Sequence, residues 1–204
     1  MAQVTQPRQR RLVNQVLWIV APFAVIAMLR PWTIRPLESA AKGAFDASAF
    51  AATAWPRLVR EATQTATDVS EVTTAPGKPR FLRGTGTVAA VERQSRVGIL
   101  RLQRTGSRPV TVAIQIGPVI RGTALRDASG FIEFSDFTNQ FDYAGAANAL
   151  NDYALRIVLG ALPADTLQGR TITFIGAAGK APVREDGAIE IVPVQLELVE
   201  PPGK

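Results

Sequence analysis

The stretch NQFDYAGAANALNDYALRIVL, residues 139–159, decides the fold because it predicts one well-patterned helix between two groups of strands. Thr138 or Asn139 is a suitable N-cap, and Gly160 follows as a helix end. A narrow polar stripe interrupts the otherwise mostly apolar surface and consists of Gly145, Asn148, Asp152 and Arg156. We therefore expect a helix that is largely covered by the rest of the domain.

Alternating apolar residues predict strands on both sides of this helix. The predicted strands are residues 84–92, 96–103 and 110–116 before it, and 170–175 and 188–199 after it. The order strand, strand, strand, helix, strand, strand is that of an OB-fold, a five-stranded, partly open barrel. The predicted fold class is therefore mainly β (α+β), with an OB-like barrel in preference to a simple sandwich.

Two local features modify these strands. Pro193 shifts the alternation by one residue and predicts a bulge or an edge. Gly84 and Gly86 lack the spacing and the strand-to-helix setting of a phosphate loop, so we interpret them as points of strand curvature.

The composition excludes several kinds of chemistry. The 204 residues contain no Cys and no His, which removes thiol nucleophiles, imidazole bases, lipid attachment at Cys and the usual zinc sites. The net charge of +6 owes much to Arg8, Arg10, Arg11 and Arg30 near the N-terminus, and the remainder is nearly balanced. Predicted strands two and three also lack stacking aromatic side chains, so we expect no nucleic-acid partner.

Residues 12–29 are uncharged, mostly apolar and about long enough for a bilayer core. The arginines before them favour a cytoplasmic N-terminus. We predict an uncleaved, single-pass signal anchor in the inner membrane, with the body in the periplasm. A cleaved signal peptide is the second interpretation, although the residues after the apolar run form a poor cleavage site. A buried soluble helix is the third.

The predicted organisation has three parts. Residues 1–32 are the cytoplasmic tail and membrane anchor, residues 33–80 a helical stalk and linker, and residues 81–204 the OB-like periplasmic domain. Residues 61–80 are either the linker or a segment that lies on the next domain. Within the stalk, Asp46 is placed to cap a helix, and Pro56 is expected to end or kink it.

The long insertion after the third strand contains the candidate site. Planar donors and acceptors in it suit recognition of a carboxylate, a sugar hydroxyl or a backbone, and they are Arg121, Arg126, Asp127, Asn139 and Gln140. The alternative is that Arg121 or Arg126 pairs with Asp127 and only fixes the insertion. Both interpretations stay open. No nucleophile motif or metal-ligand set accompanies the acids of this stretch, so we predict no catalytic residues, metal or cofactor, and no enzyme.

The central segment carries a family resemblance. The residues QIGPVIRGTALRD (115–127), FTNQ (137–140) and ALN (149–151), with IRPL (34–37) and SRVG (95–98), resemble the domain of unknown function 2291 family, described as predicted periplasmic lipoproteins. The resemblance implies an envelope location, gene neighbours that encode sugar ABC transporters, and no established activity. This chain lacks the Cys that a lipoprotein requires.

These observations predict a non-enzymatic, membrane-anchored periplasmic accessory protein. The expected partners are the inner membrane, through residues 12–29, and an ABC transporter permease, a solute-binding protein or another envelope complex. The alternative is a small-ligand binding protein, for a sugar or a carboxylate, that uses residues 121–140. An envelope hydrolase is the least favoured class.

Overall fold

A computed structural model of the chain describes residues 45–72, 75–104, 108–162 and 167–199. The chain divides after Ala44, and the compact unit that begins at Phe45 holds all the described residues. Among them, no helix has both the length and the apolar character needed to cross a membrane. The predicted anchor at residues 12–29 lies outside the described residues.

Six strands in the described ranges form one sheet. They are β1 (Thr67–Asp68), β2 (Arg80–Glu92), β3 (Ile99–Arg104), β4 (Val110–Gln115), β5 (Thr171–Ala178) and β6 (Ile189–Val199). Their order is β1-β2-β3-β4-β6-β5, and a further pairing of β5 with β2 closes the sheet into a barrel. Strands β4 and β6 run parallel. This is the predicted OB-like order, with the two-residue β1 added at one side.

The barrel closes because β2 pairs with two different strands along its length. Residues 80–87 pair with β5, and residues 87–92 pair with β3, with Thr87 opposite both Gln103 and Thr171. The prediction started this strand four residues too late, at Gly84. A Cβ at Gly84 would lie 2.9 Å from the Phe174 ring, so the glycine allows the close approach that a curved strand needs.

The bulge predicted at Pro193 is confirmed. Gly176 is paired with Pro193, but the preceding Ile175 is paired with Gln195, so Val194 is the extra residue of β6. Pro193 and Val194 are both buried. The shift keeps apolar side chains of β6 directed into the core on both sides of the proline.

Three α-helices in the described residues accompany the barrel: α1 (Ala47–Thr65), α2 (Ala124–Ala128) and α3 (Gln140–Ala154). Helix α3 begins after the predicted N-cap Asn139, whose side chain accepts hydrogen bonds from the Phe141 and Asp142 backbones. It fills the predicted slot between β4 and β5. Its last turn, Leu155–Leu159, is a π-helix rather than an α-helix.

Helix α1 corrects the predicted stalk. Asp46 caps it as predicted, but Pro56 neither ends nor interrupts it. Pro56 and Ala52 are both exposed, so water can satisfy the carbonyl that the proline leaves unbonded. Buried residues of α1 belong to one apolar cluster with α3 and the outer face of the barrel; they are Ala51, Ala54, Trp55, Leu58 and Ala62. In the described residues the compact unit begins at Phe45 and includes α1, whereas the sequence predicted the domain to begin at residue 81.

Candidate functional site

Of the two arginines that the sequence offered as partners of Asp127, Arg126 forms the ion pair. Arg126 is only 9% exposed. Its Nε donates to Asp127 Oδ1 at 2.8 Å, and its Nη2 lies 2.7 Å from the same oxygen. The second oxygen, Asp127 Oδ2, accepts from the Thr123 hydroxyl at 2.6 Å. Both carboxylate oxygens are therefore occupied.

Arg126 also ties α2 to α3. Its Nη1 donates to the Tyr143 carbonyl at 3.1 Å, and its guanidinium carbon lies 3.7 Å from the centre of the Tyr143 ring. These contacts hold the segment between β4 and α3 against the helix. The geometry of Arg126 is that of a structural clamp.

Asn139 and Gln140 lie at the start of α3. The Asn139 side chain caps the helix, and its Nδ2 donates to Asp142 Oδ2 at 2.9 Å. Gln140 is exposed, and neither residue lines the cleft described below. The structure therefore does not bring the five predicted residues together in one site.

Arg121 lies in a different environment. The residue is exposed, and its backbone N–H donates at 2.7 Å to Oε1 of Gln115, a buried side chain at the end of β4. Within the described residues, no hydrogen bond or ion pair engages its guanidinium. Arg121 is thus held by its backbone while its charge stays free.

A cleft of about 580 Å³ opens beside Arg121. One wall is the segment after β4, from Arg121 to Ala124, and the other is the β5–β6 loop, residues 179–184. The base is formed by Gln115, the end of β5 and residues 190–192 of β6. A neighbouring cleft of about 440 Å³ shares Asp127 and Lys180 with it. The larger volume lies within the range of small-molecule sites.

A hydrogen-bonded network crosses the base of this cleft. Gln115 Nε2 donates to Glu190 Oε1 at 2.7 Å, and Arg184 Nη1 donates to Glu190 Oε2 at 2.6 Å. The network joins β4, β6 and the β5–β6 loop. It fixes the relative positions of the two walls, because each member is bonded to its neighbour.

A second set of ion pairs supports the loop from outside the cleft. Arg101 of β3 pairs with Glu92 and with Asp186, and Arg184 Nε lies 3.7 Å from Asp186. The hydrogen bond from Arg101, followed by the one from the Ala188 N–H, holds the pKa of Asp186 below its ordinary value. Hydrogen bonds to Glu92 and then Asp186 raise the pKa of Arg101. Asp186 is therefore ionised at neutral pH, and in this form it anchors the β5–β6 loop.

The sequence analysis did not predict the amide and charged side chains at the base and far wall of the cleft, which are Gln115, Lys180, Arg184 and Glu190. Lys180 and Arg184 lie in residues 176–187, a stretch with three glycines that the sequence analysis interpreted only as a loop. Gln115 and Glu190 stand on strands far apart in sequence. The available signal was a polar residue between apolar ones in each strand pattern: Gln115 near the end of one strand and Glu190 near the start of the other. Among the described residues, no group of three or more metal-ligating side chains is close enough to hold a metal ion.

The closed strand order and the intervening helix define an OB-fold-like protein. The fold is similar to that of the crystal structure of an OB-fold protein from Thermotoga maritima, with a TM-score of 0.57 and 18% identity. The similarity covers 76% of this chain and 99% of that chain. At this identity the likeness concerns the fold alone.

The family follows from the sequence match. The model of the predicted periplasmic lipoprotein family DUF2291 matches residues 78–197, and the chain belongs to this family. The resemblance found in the central segment is thereby confirmed. No curated protein matches the chain.

Proposed function

We propose that the protein is a non-enzymatic periplasmic accessory protein of an envelope transport complex, such as a sugar ABC transporter. In this proposal residues 12–29 hold it to the inner membrane as a single-pass anchor. The cleft beside Arg121 binds a small molecule that the complex handles. The family's description as periplasmic supports the location, and the cleft supports the binding role.

The observation that carries the binding role is the position of the cleft. One of its walls is the β5–β6 loop, which joins the last two strands of the barrel. OB-folds use the loop at this place in the strand order for ligands. The network through Gln115, Glu190 and Arg184 also builds the cleft before any ligand arrives, which lowers the cost of ordering it.

The contacts of the acidic residues support a non-enzymatic role. Asp127 is paired with Arg126, Asp136 accepts a hydrogen bond from the Glu133 backbone, and Asp142 accepts one from Asn139. General acid–base catalysis by carboxylates needs two of them placed around one reacting group. These acids instead serve as ion-pair and hydrogen-bond partners within the segment between β4 and α3.

The accessory role is tested by isolating the tagged full-length protein from solubilised membranes. We expect a transporter permease or a periplasmic solute-binding protein, identified by mass spectrometry, to be recovered with it. Isolation of the protein without either partner would count against the accessory role. The binding role is tested separately, by the shift of the melting temperature with a panel of sugars and organic acids.

A further inference from the structure

We propose that the ligand of the cleft is a small organic acid whose carboxylate is held by Arg121 and Lys180. This inference rests on the proposed binding role and adds the chemical class of the ligand. Arg121 stands on one wall of the cleft and Lys180 on the other. A carboxylate between the two walls would therefore meet a cation on each side.

The charges around the cleft favour an anion. Its two lining carboxylates are already neutralised, since Asp127 pairs with Arg126 and Glu190 pairs with Arg184. All four of their oxygens accept hydrogen bonds from the protein. Among the described residues, the side chains of Arg121 and Lys180 have no hydrogen-bond or ion-pair partner. Two positive charges thus remain for a ligand.

The position of Arg121 suits recognition of a carboxylate. Gln115 is 4% exposed, and its amide oxygen fixes the backbone N–H of Arg121 at 2.7 Å. A ligand then has to order only the side chain, which reduces the entropic cost of binding. The planar guanidinium presents parallel N–H donors that match the two oxygens of a carboxylate.

The remaining lining favours an organic anion over a bare inorganic one. Two apolar side chains that are not buried line the cleft beside the charged ones, and they are Ala181 and Val183. They offer contact surface for a carbon skeleton, as in most small-molecule sites. At Gly179 a Cβ would meet nothing within 4 Å, so open space adjoins Lys180.

Calorimetric titration of the full-length protein with matched ligand pairs tests this inference. Glucuronate is compared with glucose, and galacturonate with galactose, because each pair differs mainly by the carboxylate. Citrate and succinate extend the acids, and inorganic phosphate serves as the inorganic control. We expect at least one acid to bind about tenfold more tightly than its neutral counterpart or than phosphate. We also expect the affinity for this acid to fall when salt is added.

Variants locate the binding. We expect Arg121→Gln and Lys180→Gln each to lower the affinity for the acid by about tenfold, since each substitution removes one charge-assisted contact. Arg60→Gln removes the same charge from an exposed site on α1 and should leave the affinity unchanged. Gly179→Leu fills the open space and should abolish binding, whereas Ala52→Leu, an exposed change on α1, should not.

The outcomes separate the inference from the proposed function. One outcome is that neutral sugars bind as tightly as their acids and lose this binding in Gly179→Leu. That result would refute the proposal of an acidic ligand and retain the binding role of the cleft. Acid binding that survives Arg121→Gln, Lys180→Gln and Gly179→Leu would place the ligand elsewhere and refute both. If no acid of the panel binds, the inference fails, while recovery of a transporter partner still decides the accessory role.

Discussion

Arg126 joins three groups at once: the Asp127 carboxylate, the Tyr143 carbonyl and the Tyr143 ring. Its long side chain is almost fully covered, so its charge is compensated inside the protein and not by water. Arg121, five residues earlier, has an exposed side chain and a fixed backbone. The two arginines of this segment therefore differ: Arg126 is bonded within the protein, whereas the guanidinium of Arg121 is the group that the proposed ligand would contact.

Replacing Arg126 with Ala should lower the free energy of unfolding by about 3 kcal/mol, because it leaves Asp127 without its cation and removes the contact with Tyr143. Urea denaturation of the variant measures this loss. Arg121→Gln is the matched control and should unfold like the unchanged protein, since the backbone bond to Gln115 remains. Equal stability of the Arg126→Ala variant would contradict the clamp.

At the residue scale, contacts between near neighbours could be predicted from the sequence. Asp46 and Asn139 are caps because their side chains reach backbone groups two or three residues away. The cleft could not be predicted in this way. Gln115 meets Glu190 only because β4 and β6 run side by side in the barrel, and a one-dimensional pattern does not contain that pairing.

At the element scale, β2 is the strand on which closure of the barrel depends. It pairs with β5 along its first half and with β3 along its second half. Gly84 lies under the Phe174 ring and Val69, within the interior apolar cluster. The repeated glycines indicated curvature in the sequence, and the close approach of Phe174 explains why the first position takes no side chain.

Gly84→Ala should lower the free energy of unfolding by about 1–3 kcal/mol, because the new Cβ would lie 2.9 Å from Phe174 and 3.0 Å from Val69. Denaturant unfolding measures the difference. Gly179→Ala is the matched control, since a Cβ there meets nothing within 4 Å. Similar losses in the two variants would contradict the packing described for β2.

The turn after β1 predicts a pH effect. Hydrogen bonds from the Ser70 hydroxyl and N–H, with Arg104 nearby, hold the pKa of Asp68 below its ordinary value of 3.8. A lowered pKa in the folded state stabilises the protein above the unfolded-state pKa, and this contribution is lost as the pH falls toward the folded-state pKa. The ionised form of Asp68 is thus the one that stabilises this turn.

Asp68→Asn should therefore reduce stability near neutral pH, and its difference from the unchanged protein should shrink as the pH falls below about 4. Urea unfolding between about pH 7 and about pH 3 measures this difference. Asp152→Asn is the control, because Asp152 is exposed and its carboxylate has no hydrogen-bond or ion-pair partner among the described residues. A difference that stays constant down to the lowest pH would show that Asp68 does not act through its charge.

Two elements show where prediction from the pattern stops. Strand β1 has two residues and exists through its pairing with β2, so no alternation could indicate it. Helix α1 continues through Pro56 because packing of its buried face outweighs the cost of one missing hydrogen bond. In both cases tertiary contacts override the local signal.

At the scale of the whole molecule, α1 is part of the same unit as the barrel. Trp55 packs against Tyr153 of α3 with ring centres 5.2 Å apart, and Leu58 is fully buried in the shared cluster. The barrel thus has an apolar interior and an outer face covered by α1 and α3. The sequence indicated the helix but not what it packs against, since its apolar face was short and rich in alanine.

Leu58→Ala should lower the free energy of unfolding by about 2–5 kcal/mol and keep one cooperative transition, since α1 shares its core with the barrel. Circular dichroism and Trp fluorescence during denaturation measure this. Arg60→Ala, on the exposed face of α1, is the control. A separate early transition for α1, with an unchanged main transition, would show instead that α1 does not share its core with the barrel.

The central claim is that the cleft between residues 121–124 and the β5–β6 loop is the binding site of this protein. It is tested most directly by comparing the melting temperatures of the unchanged protein and Gly179→Leu with the sugar and organic-acid panel. We predict equal melting temperatures without ligand, and a rise with at least one compound in the unchanged protein alone. A compound that stabilises both proteins equally, or a panel that stabilises neither, would contradict the claim.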